Sequence, residues 1–190
     1  MTSLPERLRH ETRTLHEQTE QLFYTEALRN GTLSAAEYGH LLRTHLAFHQ
    51  ALESAIDRHP AFFEEYEPKT RQKTTWLTAD LAYLSLPLPQ PMPALFAGWS
   101  PGALLGAAYV GEGSMLGGTV IWKLLQKNQA VQPLLAKARF YEGYGAETGH
   151  RWRDFGAFLV RKGADNPDEV VAAAKQTFIA YQTVFQRTKS

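Results

Sequence analysis

The chain has 190 residues with 44% hydrophobic and 21% charged content, enough for one globular domain with a substantial core. A net charge of +1, with no basic cluster interleaved with aromatics, argues against a nucleic-acid partner and against a strong pull to a membrane surface. The absence of cysteine excludes disulfides and thiolate metal sites, and no apolar run approaches the roughly 20 residues that span a bilayer.

The polar, acid-bearing start MTSLPERLRHETR is unlike a secretory signal, so a cytoplasmic protein is expected. Ser3-Leu4-Pro5-Glu6 has the form of a capping box and opens a helix expected from Leu4 to Phe23, with Leu8, Leu15 and Leu22 on its buried stripe. Asn30-Gly31 is a turn signal. Ser34 and Glu37 form a second capping box, and that helix runs to about Arg58, before Pro60. A third helix is expected over 68–85, with Trp76, Leu77, Leu81 and Leu84 inward, and LPLPQPMP over 86–93 is an extended connector. A long glycine-bearing helix follows Ser100. A short helix is expected over 131–139. Another spans about Glu147 to Lys162, stopped by Gly163, and Asn166-Pro167-Asp168-Glu169 caps a last helix to about Arg187. No useful β-alternation exists. The class is all-α, a single-domain bundle of six to eight helices over 1–190.

Two stretches carry chemistry. On the first helix, Arg9, Arg13, His16 and Glu20 recur at four, three and four residues, a polar stripe beside the apolar one. Glu20 lies one turn beyond His16 and is placed to hold one ring nitrogen, leaving the other free as a metal ligand. The alternative is a solvated face with ordinary i,i+4 pairs. In the helix of Ser100 to Asn128, six glycines interrupt an apolar sequence: Gly102, Gly106, Gly111, Gly113, Gly117 and Gly118. Each costs roughly 1 kcal/mol of helix stability relative to alanine. Gly102, Gly106, Gly113 and Gly117 fall on one face, which is either a platform for something flat or a close helix–helix contact.

Glu37-x-x-His40 and Glu147-x-x-His150 match the Glu-x-x-His pattern of di-iron carboxylate bundles, with Glu20 and Glu112 as available further donors. Against that site, Glu37 belongs to a capping box and Glu147 sits at a helix start among glycines. His45 and His49 lie one turn apart without an evident third ligand. Trp152, Phe155 and Phe158 read as core, while Arg151 and Arg153 are either solvated or anion-binding.

LRHETRTLHEQTE (8–20) resembles the proximal helix of heme oxygenases. YVGEGSMLGGTVI (109–121) resembles their glycine-rich distal helix in the bacterial, biliverdin-producing form, and FYEGYGAETGHRWRDF (140–155) resembles a third stretch of the same group. The resemblance implies an all-α fold with heme between the first helix and the glycine helix. It implies His16 as iron ligand and Glu20 as its hydrogen-bonded acid. Arg9, Arg13 and Arg153 are then propionate contacts. Gly113 and Gly117 are distal glycines, with Tyr109 and Gly118 beside the heme. Ser114 stands where mammalian-type enzymes carry an aspartate, as in bacterial relatives, and Ala157 replaces a second basic position. The implied reaction is cleavage of heme to biliverdin, iron and carbon monoxide with molecular oxygen. Its electrons come from an external donor such as a ferredoxin, flavodoxin or reductase, since no flavin or nicotinamide motif is present. The alternatives are a heme-binding protein without turnover and a di-iron oxidase on a similar fold.

Overall fold

The computed structural model describes residues 2–189; Met1 and Ser190, the ends of the expected 1–190 domain, lie outside the described residues. The described chain is all-helical: α1 (Leu4–Glu11), α2 (Arg13–Leu22), α3 (Thr25–Asn30), α4 (Ala35–Ile56), α5 (Thr74–Tyr83), α6 (Pro101–Lys127), α7 (Thr148–Lys162) and α8 (Pro167–Arg187).

Local sequence signals account for most boundaries. Ser34 Oγ accepts from the Glu37 N–H at 3.2 Å while Glu37 accepts from the Ser34 N–H at 2.8 Å, a reciprocal capping box. Ser100 caps α6 by accepting from Ala103 N–H at 3.0 Å, and Asn166 caps α8 through Glu169 N–H at 3.3 Å. Gly31 ends α3 at φ 67°, a conformation that favours glycine.

Three expectations need correction. The expected first helix is two, because the chain departs from helical geometry at Thr12 (φ −99°, ψ −3°), whose hydroxyl donates back to Leu8 O at 2.7 Å. The Arg9-to-Glu20 stripe is therefore carried on two segments. The expected helix over 68–85 begins only at Thr74, and 64–70 forms two single 3-10 turns. The short helix expected over 131–139 is one 3-10 turn, Gln132–Leu135.

α6 is the central element. It packs along α8 and against α4 and α7, with Leu104, Leu105, Ala107, Ala108 and Val110 buried. α1 lies on α7 and α8, and α2 lies on α8 and α3 without broad contact to α6. The glycine stripe therefore divides. A Cβ at Gly106 would stand 2.3 Å from Val170 O and 2.9 Å from Ala174 N, so α6 and α8 touch backbone to backbone there. At Gly102 a Cβ would meet the Glu169 carboxylate at 2.4 Å. At Gly117 it would meet nothing within 4 Å; Gly118, off that stripe, likewise has no such neighbour but is itself buried. The first half of the stripe is helix packing; the second half is an open face.

Candidate active site

α6 beyond Val110 carries the open face. Tyr109, Gly113 and Ser114 are half-buried and Gly117 is exposed. Leu116 and Val120, on the same side, are 41% and 61% exposed and add apolar surface beside the glycines. Trp152 of α7 bounds the face at one end: a Cβ on Gly113 would touch its ring edge at 3.8 Å. Tyr109 lies against the same indole with ring centroids 5.9 Å apart. The Ser114 hydroxyl donates to Gly111 O at 2.6 Å, so its single proton is committed to its own helix and its lone pairs remain as acceptors.

His16 sits on α2 with its side chain 54% exposed and its ring edge-on to Phe178 of α8, 5.8 Å between centroids. Its Nε2 is 3.6 Å from Glu20 Oε1, a proximity that is longer than a hydrogen bond. Arg13 pairs with Glu17 at 2.9 Å, and both side chains are largely exposed, so the pair holds it weakly. Arg9 lies near the Tyr109 hydroxyl, whose pKa burial raises while Thr12 and the Arg9 charge oppose that rise. This places the end of α1 beside α6. Arg153, next to Trp152 on α7, is exposed.

The rival constellations are occupied elsewhere. His40 Nε2 donates to Phe185 O at 2.9 Å and its Nδ1 accepts from Tyr24 at 2.8 Å, leaving no lone pair for a metal. Glu37 is in its capping box, and His150 pairs with Asp154 at 3.3 Å. His45 is bonded on both nitrogens, to Tyr181 at 2.5 Å and Tyr141 at 2.9 Å, and burial pushes its pKa down to about 3. Among the described residues no three His, Asp or Glu side chains converge on a metal position. Arg151 is also engaged, donating to Thr70 O at 3.1 Å and standing over the Tyr144 ring. Two other hollows do not compete. One behind α6, lined by His49, Tyr66, Arg71 and Lys73, holds about 10 Å³. The other, a groove of about 340 Å³, is lined mainly by Gln18, Gln182, Thr183 and Gln186 and offers no imidazole or cation.

One feature of the site is invisible to helical spacing. Glu112, immediately before Gly113, is 3% exposed and accepts from Arg71 at 2.9 Å, from Tyr66 at 3.0 Å and from Lys73. Tyr144 adds a hydroxyl 3.3 Å from each carboxylate oxygen. Burial pushes the Glu112 carboxyl up, but the Lys73 and Arg71 charges and their hydrogen bonds outweigh it and hold it below the ordinary carboxylate range. This buried cluster ties α6 to the 64–73 turns and to the approach of α7. The open half of α6 thus leaves a fixed anchor.

The fold is an all-helical bundle with a half-exposed imidazole on its N-terminal helices and a glycine-bearing apolar helix face. A sequence profile of the heme oxygenase family matches residues 2–88. The heme oxygenase of Xanthomonas campestris pv. campestris (strain 8004) is 30% identical over 160 residues, covering 83% of this chain and 94% of that protein. The heme oxygenase of Leptospira interrogans superposes with a TM-score of 0.82 at 19% identity, over 97% of this chain and 98% of that one. The NO- and CO-bound heme oxygenase of Neisseria meningitidis superposes with a TM-score of 0.75 at 20% identity, over 100% and 93%. The chain belongs to the heme oxygenase family. Membership implies heme binding, and the residues fit the group: glycine backbone where a Cβ would find open space, exposed leucine and valine, a free imidazole and exposed arginines.

Proposed function

We propose that the protein cleaves heme to biliverdin, iron and carbon monoxide in the cytoplasm, as one domain over 1–190. It uses molecular oxygen and electrons from a ferredoxin, flavodoxin or reductase. The single observation that carries this reading is the division of the glycine stripe, with open space in front of the exposed Gly117 on a helix anchored behind Gly113. Heme, once bound, supplies the iron and its oxygen chemistry. His16 would hold the iron through one nitrogen, and Glu20, 3.6 Å from its Nε2, would draw in to take the N–H of the other and orient the ring. Arg9, Arg13 and Arg153 would hold the propionates. Tyr109, Gly113 and Gly117, with Gly118 buried beside them, would form the surface that receives the ring. Ser114 acts on water: with its own proton given to Gly111, its lone pairs accept from a water and so point one of that water's protons along the open face.

The test is to mix the purified protein with hemin and a reductant in air and follow the spectrum. Loss of the Soret band with growth of biliverdin absorption is expected. A stable ferrous-oxy spectrum without turnover would make the protein a heme carrier or sensor.

A further inference from the structure

We propose that Trp152 is a specificity-determining residue, a lateral stop that fixes how heme is seated in its own plane and so which edge of the porphyrin is cut. The proposal rests on the heme reading above and goes beyond it in assigning a role to a side chain that helical periodicity places in the core.

Four observations support this. First, the open face of α6 is asymmetric. At its far end the exposed Gly117 has no neighbour within 4 Å of a would-be Cβ, and Val120 is 61% exposed. At its near end the Trp152 ring edge stands at van der Waals distance from Gly113. A flat ligand resting on this face is stopped on one side and free on the other. Second, the stop is rigid. Trp152 is wedged between Tyr109 and Phe155, each with centroids 5.9 Å away, and Phe155 is fully in the core. Third, nothing beside it can take its place. Gly149 and Gly156, one turn to either side on the same face of α7, carry no side chain. A Cβ at Gly156 would meet nothing within 4 Å, and one at Gly149 only the end of Arg153. Fourth, Arg153 is its chain neighbour and is exposed. The indole therefore meets the apolar ring where a cation is available for the carboxylate rim. Rotation of heme about its ring normal changes which methyl, vinyl or propionate faces the stop, and a bulky ring at that edge separates these seatings by its overlap with the substituent it meets.

The test uses the full chain loaded with hemin, in the parent, W152F and W152A. Orientation is read from the hyperfine-shifted heme-methyl proton resonances of the ferric cyanide complex, independently of turnover, and the biliverdin isomer ratio is measured alongside. The parent is expected to show one dominant set of methyl resonances. In W152A a second set should grow several-fold, with the isomer ratio moving in step and the His16-ligated optical spectrum unchanged; W152F should lie between. One unchanged set of resonances and one unchanged isomer ratio in both variants would overturn the proposal. So would loss of hemin affinity without a change of orientation, or failure of both variants to fold, since each makes Trp152 a packing residue. Failure of the parent itself to bind hemin through His16 would instead remove the heme reading on which the proposal stands.

Discussion

Gly106 and Gly117 lie on one helix, and the structure assigns them opposite responses to a side chain. In Gly117→Leu the new Cβ enters open space, so the change keeps the full helix-propensity gain, most of 1 kcal/mol. For a chain of this size that is an apo melting temperature about 2–4 °C higher. The same leucine projects over the open face, so hemin affinity should fall or disappear. In Gly106→Ala the gain is similar, but the Cβ would stand 2.3 Å from Val170 O and 2.9 Å from Ala174 N. Both are backbone atoms and cannot swing aside, so α6 and α8 must separate. Overpacking of this kind costs about 1–3 kcal/mol, which exceeds the gain and lowers the melting temperature. Thermal denaturation of both apo-proteins, with hemin titration of each, reads all four outcomes. A destabilised Gly117→Leu with normal hemin binding would refute the platform. An unperturbed Gly106→Ala would refute the backbone contact.

Three further outcomes follow from buried charge and exposed cations. Glu112→Ala leaves Arg71 and Lys73 buried without their counter-charge, a loss of about 3–5 kcal/mol, and denaturant unfolding of the apo-protein should show it. Acid should weaken the fold before the carboxylates titrate. Burial lowers the pKa of His45 to about 3 and that of His49 well below its ordinary 6.5, so the unfolded chain binds these protons first. The stability they contribute is complete above 6.5 and is lost as pH falls below it, by about 1.4 kcal/mol per pH unit for each histidine. Glu53 and Asp80, raised by burial, act in the opposite sense, but only as pH rises past the ordinary carboxylate range. Unfolding free energies that are level between pH 6.5 and 5.5 would contradict this account. Arg153→Ala should weaken hemin binding or shift the isomer mixture, and no change in either would mark Arg153 as a solvated surface residue.

Helix type and most boundaries were legible in the sequence because caps are local: Ser34, Ser100 and Asn166 each act within three residues. The break at Thr12 was not, since a threonine bonding back one turn has no distinct sequence signature. Spacing put Gly106 and Gly117 on one face but carried no information about which has a neighbour, as that depends on α8, more than 60 residues on. The 68–73 segment reads in the sequence as the start of a helix over 68–85. Its cations instead turn inward to Glu112, about 40 residues away, and a buried ion cluster of this separation leaves no periodic trace. Trp152 shows the same limit. Its spacing from Phe155 gives it a core-facing register, and only the placement of α7 beside Gly113 makes it an edge of the site.

The central claim is that heme is held through His16 of α2 against the open half of α6. Resonance Raman of the ferrous hemin complex addresses it directly through the iron–histidine stretch. The parent should show that band and His16→Ala should lose it, with added imidazole restoring a band of altered frequency. An unchanged band and unchanged affinity in His16→Ala would mean that another group ligates the iron and that the α2–α6 site is misassigned.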